Sequence, residues 1–252
     1  VVACLCPYSV SPTRDERPHE SWKKKELAEC MQTLWECAGL QLCIFSTLSE
    51  RPAFALVVGL SYSFLRSCVE LGYAYWYYWM EVDLLRPHAP APDAIEPTTV
   101  YTDMHTGSFA KCLAAFCAQT TLFVLFFIAV TQQEAITQEN ENTQILQFCL
   151  GACISSVVRL FDTSFVKGEY RSVWKNYITY YPNYYDRSHL FVARFLMSFL
   201  ANSVLSMATL FLLPVVLMNA DNFMEFVKDA TCVLFIAELD TLQIVTAAQN
   251  IP

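Results

Sequence analysis

Residues 109–130 read FAKCLAAFCAQTTLFVLFFIAV, and after Lys111 nineteen consecutive residues carry no charge. An α-helix of about that length crosses a hydrocarbon core of roughly 30 Å. Lipid offers no partner for an unpaired backbone group, so a stretch that crosses must be helical. Working outward, three further stretches are long and apolar enough to cross, and two more qualify if their charges meet partners inside the protein. The expected fold is an all-α polytopic transmembrane bundle of six spans, at 26–49, 52–79, 109–130, 143–166, 188–218 and 222–248.

Composition agrees with a membrane class. Of 252 residues, 55% are hydrophobic and 16% charged, with a mean hydropathy of +0.33, so the apolar surface exceeds what a soluble core of this length absorbs. One domain, 25–250, takes up nearly the whole chain. A polar, proline-containing arm (1–24) precedes it and ends at the basic run Lys23, Lys24 and Lys25. The chain opens on Val1, and VVACLC is too short for a signal-peptide core. The net charge of −8 and the lack of a basic patch argue against nucleic acid as a partner.

Eleven cysteines is a high count, but nearly all fall in or beside the expected helices, where a free thiol behaves as a small hydrophobe. Their spacing matches no zinc pattern, and the odd total argues against a complete disulfide framework.

Between the spans the composition changes. Glu81 to Gly107 holds four prolines and several acids and reads as a loop. The acidic linker TQQEAITQENEN leads into the fourth helix. Residues 168–187 are crowded with Trp174, Tyr177, Tyr180, Tyr181, Tyr184 and Tyr185, a composition suited to the headgroup level. The run Tyr73, Tyr75, Trp76, Tyr77, Tyr78 and Trp79 closes the second helix as an interfacial anchor. Pro214 is expected to kink the far end of the fifth.

The basic residues orient the bundle. With six spans, the side holding the N-terminus receives Arg14, Arg17, Lys23, Lys24, Lys25, Arg86, Lys167, Arg171, Lys175 and Arg187, against Arg51 alone opposite. Loops rich in Lys and Arg stay inside, so both termini are expected on the inner face. Dropping the first span would erase that bias.

This arrangement brings several charges into the inner half of the membrane. Arg66 and Glu70 share one helix face a turn apart, Arg159 and Asp162 do so at spacing three, and Arg194, Glu238 and Asp240 match their depth. A charge at mid-membrane costs about 3 kcal/mol on insertion scales, so these seven side chains should face one another or water. They form the candidate site, read either as a salt-bridge network fixing helix register or as a polar path for ions or protons that Glu36 and Glu225 could extend. Arg194 is expected to pair with Asp162, Glu238 or Asp240.

Other classes lack their signatures. No helix repeats Arg or Lys at every third position, and Asn219 to Asp221 leave no room for a selectivity filter between the fifth and sixth helices, which excludes a voltage-gated cation channel. Only six glycines occur, and neither paired repeats nor GxxxG motifs appear. His19, His88, His105 and His189 stand apart, with no metal-ligand spacing, nucleophile elbow or phosphate loop. The cofactor stays open: bound lipid is expected, and a pigment against the Tyr and Trp rings, contacted by Gln119, Asn202 or His189, is a lesser reading. The functional expectation is a non-catalytic integral subunit or scaffold of a larger membrane assembly, partnered by the lipid bilayer and other membrane subunits, with an ion or proton channel or transporter as the alternative.

Overall fold

The computed structural model describes residues 31, 33–46, 52–84, 97–104, 108–132, 141–161, 169–170, 173–180 and 188–237. Among them every regular element is helical. Helix α1 covers 33–46, followed by α2 (Pro52–Leu84), α3 (Phe109–Thr131), α4 (Glu141–Phe161) and the short α5 (Lys175–Tyr180). Next, α6 (Ser188–Phe199) continues through a π segment (Leu200–Leu205) into α7 (Ser206–Leu217), and α8 (Phe223–Ala237) closes the described chain. The arm 1–24, the linker 133–140 and the end of the sixth expected span lie outside the described residues.

Three helices are long and apolar enough to cross a membrane: Ala53–Trp76, Phe109–Thr131 and His189–Leu217. The third is the axis of the molecule, with 72% of its apolar window buried, against 22% and 28% for the other two. Around it α2, α3, α4 and α8 pack, and α4 lies against α7 most extensively. Local sequence explains the helix starts. Pro52 occupies a first-turn position whose N–H would have no helical partner anyway. Ser108 caps α3, its hydroxyl accepting from the Lys111 N–H.

Packing against the axis relies on small side chains. On α2, Ala55, Gly59, Ser63 and Ser67 recur every fourth residue and are buried, so this face can approach α7 and the π segment closely. A Cβ on Gly59 would come within 3.0 Å of the Leu212 side chain. On α4, a Cβ on Gly151 would fall 2.9 Å from the Pro214 Cα, which marks the tightest crossing. No literal GxxxG exists, yet its general form, small residues at spacing four, shapes α2.

Pro214 sits inside α7 and cannot donate to the carbonyl of Leu210. Ser155 Oγ on α4 donates to that carbonyl at 2.7 Å, and Gln41 Nε2 on α1 donates to the next, Phe211 O, at 3.2 Å. The orphaned acceptor therefore acquires a partner from a neighbouring helix, the usual way a proline is tolerated in an apolar setting.

Two cores result. One, around Ile44, Phe126, Phe148, Phe211, Leu212 and Leu213, fills the middle of the bundle. The other, around Tyr101, Tyr170, Trp174, Tyr177, Phe191 and Phe199, wraps the first half of the axis. It draws on segments read from sequence as loop and interfacial surface. Tyr101 is fully buried and its hydroxyl donates to Gln119 Oε1 in the middle of α3. Trp174 stacks edge-on against Phe191 and Phe195, with ring centroids 5.4 and 5.3 Å away. The described aromatic rings of 170–177 thus face protein, because α6 offers them phenylalanine faces along a full turn. Tyr181, Tyr184 and Tyr185 lie outside the described residues.

Candidate functional site

The described residues hold two buried polar clusters. The first gathers Glu36 of α1, Arg66 and Glu70 of α2, and Arg159 of α4. Arg66 Nε donates to Glu70 Oε1 at 2.8 Å, and Arg66 Nη1 lies 3.2 Å from Glu36 Oε2. Arg159 Nη2 is 3.9 Å from the same Glu70 oxygen. The side chains are only 12–18% exposed, so each charge leans on its neighbours more than on solvent. Two cations and two anions make the group neutral. A small cleft bordered by Thr33, Glu36, Tyr62, Arg66, Arg159 and Phe211 opens beside it.

The structure therefore brings together Arg66, Glu70 and Arg159 of the seven candidate residues, and adds Glu36 as a direct partner. Spacing on a single helix exposes the Arg66–Glu70 pair, whereas the Glu36 contact depends on how α1 crosses α2. Asp162, Glu238 and Asp240 lie outside the described residues. Arg194 donates through Nη1 to the backbone carbonyl of Asp103 at 2.6 Å, a contact with the turn at 97–104. Buried near the start of α6, it is distant in sequence from any residue that pointed to this partner, and the three carboxylates expected for it are those outside the description.

The second cluster centres on Glu169, which sequence reasoning passed over. It is buried between the 97–104 turn, the segment before α5, and the axis. Its Oε1 accepts from Thr99 Oγ1 (2.9 Å), Trp174 Nε1 (3.2 Å) and Ser198 Oγ (2.6 Å), and its Oε2 from Asn202 Nδ2 (3.2 Å). Burial pushes the carboxyl up from its ordinary value, while these four donors pull the other way. Arg194 and Glu169 both lie within electrostatic reach of Cys112 on α3. Asn202 belongs to the π segment, and π turns inside helices often mark sites where a side chain has been re-aimed. A Glu followed by a Tyr and Trp-rich run was the one available signal, and composition alone made it look interfacial.

Of the polar groups weighed for a pigment, Gln119 is engaged by Tyr101 and by the Ile236 carbonyl, and Asn202 by Glu169. His189 is exposed at the start of α6. Glu225 takes part in the turn before α8, where its carboxylate accepts from the Asp221 N–H. Among the described residues no three His, Cys, Asp or Glu side chains gather as metal ligands would. No protein-family model matches the chain, and no curated protein or solved structure does either.

Proposed function

We propose that this chain is a multi-pass integral membrane protein with six spans and both termini on the inner side, acting as a non-catalytic subunit or scaffold in a larger membrane assembly. The observation that carries this reading is the division of the apolar surface. The axis α6–α7 is enclosed, whereas α2 and α3 turn Phe54, Val57, Phe64, Leu65, Leu113, Val124, Leu125 and Ile128 outward. At about 25 cal/mol for each Å² of apolar area, such faces call for lipid or another helix. Inside, the described charges of the first cluster neutralise one another, as a register-fixing network would.

Two measurements test it. Cysteine labelling on a thiol-free background should place positions 20 and 171 on one face and 138 on the other; labelling of all three from one face would refute six spans. Native mass after mild detergent extraction should show a discrete assembly containing other proteins, and a small homo-oligomer that carries ions in liposomes would overturn the subunit reading.

A second reading, ion or proton passage, is favoured by one detail. Glu70 Oε2 is buried and has no hydrogen-bond partner among the described residues, which leaves one acceptor in the first cluster unused. Flux in liposomes that is lost on Glu70→Gln would support this reading, and wild-type liposomes without flux would eliminate it.

A further inference from the structure

The hydrogen-bond chemistry around Glu169 allows both charge states of its carboxyl with the heavy atoms in place. Trp174 Nε1 and Asn202 Nδ2 can only donate, so they hold one lone pair on each carboxyl oxygen. The other two partners are hydroxyls, Thr99 and Ser198, and a hydroxyl donates or accepts by rotating its hydrogen. When the carboxylate is ionised, both hydroxyls point at Oε1. When a proton binds Oε1, the new O–H stays on the carboxyl and donates to Ser198 Oγ across the same 2.6 Å. The Ser198 hydrogen then turns toward the carbonyl one helical turn back, a normal acceptor for a serine in a helix. Thr99 serves the ionised form, because the hydroxyl of Thr102, 3.4 Å from Thr99 Oγ1, already accepts from the Thr98 and Thr99 N–H groups and donates to the Thr99 carbonyl.

We propose that Glu169 is a proton-binding site in the interior, with Ser198 as the reversible hydroxyl that accommodates either state, Thr99 as a donor to the ionised state, and Asn202 as the link to the π segment Leu200–Leu205. Proton uptake adds H⁺ to one carboxylate oxygen and changes no other bond. The ionised form holds Asn202 through a charge-assisted bond, which weakens when the proton binds, so occupancy loosens the π segment. Burial raises the Glu169 carboxyl above its ordinary value against the pull of these donors.

Other titratable and charged groups surround the site: Cys112 from α3, Arg194 from α6, Asp103 from the 97–104 turn, and Tyr170, Lys175 and Tyr177 from its own segment. Arg66 and Glu70 belong to the first cluster. Burial favours the neutral form of Glu169, and its four donors favour the ionised one. The inference is independent of whether the chain is a subunit or a transporter.

The test is infrared difference spectroscopy of the full chain in lipid nanodiscs, titrated with pH. A carbonyl-stretch band of a protonated carboxylic acid should persist above the ordinary glutamate value of about 4.3 and vanish in Glu169→Gln. If the two proteins give the same band at every pH, the proposal fails. Should Glu169→Gln not fold, Thr99→Val removes a donor that serves the ionised form and should raise the band's midpoint by about one pH unit. A midpoint that stays put or falls in this variant overturns the assignment.

Discussion

Ser203 Oγ donates to Ser67 Oγ across 2.7 Å, and both side chains are buried. Each serine adjoins a member of a different polar cluster, Ser67 following Arg66 and Ser203 following Asn202. This one bond therefore ties α2, beside the charged tetrad, to the π segment that carries Asn202. Ser67→Ala leaves a buried hydroxyl without its partner and should cost about 1–3 kcal/mol in reversible unfolding in detergent. Changing both serines to alanine should cost less than the two single losses added. Strictly additive losses would mean that the bond contributes nothing.

The crossing of α4 and α7 gives a sharper steric test. Gly151→Ala places a methyl 2.9 Å from a backbone atom of Pro214, which has no side-chain freedom to yield. The expected loss is about 1–3 kcal/mol, seen as a lower melting temperature in detergent. Gly39→Ala is the control, since nothing lies within 4 Å of its Cβ, and by helix propensity it should stabilise by up to about 1 kcal/mol. Equal effects at the two positions would refute this packing.

Ser155 and Pro214 should be coupled. In the wild type Ser155 satisfies the Leu210 carbonyl that the proline leaves without a helical donor. In Pro214→Ala that carbonyl regains a backbone N–H. Ser155→Ala should therefore cost about 1 kcal/mol or more in the wild type and distinctly less in the Pro214→Ala background. A double-mutant cycle measures the difference directly, and a coupling near zero would contradict the compensation.

Arg66 links two carboxylates. Arg66→Leu leaves Glu36 and Glu70 buried with only Arg159 to offset them, and a loss of about 3–5 kcal/mol is expected for removing one partner of such a group. Adding Glu70→Leu restores the charge balance between Glu36 and Arg159 and should recover part of that loss. Unfolding titrations of the two variants suffice, and no recovery would show that the tetrad does not act as one network.

The same sequence made some of these features plain and hid others. The helices around 109–130 and 188–218 are legible because apolar length alone marks a helix able to cross a membrane, and the Arg66–Glu70 pair because one turn of one helix determines it. Glu36 and Arg159 join that pair only through the crossing of three helices, which periodicity does not encode. The π segment left no mark either, since LANSVL reads as ordinary helix. Thr99 to Thr102 were obscured by neighbouring prolines, whose loop signature is correct for the backbone but silent about burial. The stripe from Ala55 to Ser67 spells no GxxxG, because serine and alanine do there the work that the motif assigns to glycine.

The aromatic collar around α6 also dictates an order of assembly. Thr99 and Glu169 are synthesised before Ser198 and Asn202, yet Glu169 receives two of its four donors from that later helix. Until α6 arrives the carboxylate has no reason to leave water, and Trp174 has no Phe191 or Phe195 to rest on. Glu169 and Trp174 therefore gain their full set of partners only once α6 and the π segment are present. A ribosome stalled before residue 188 would hold a chain in which both still lack them.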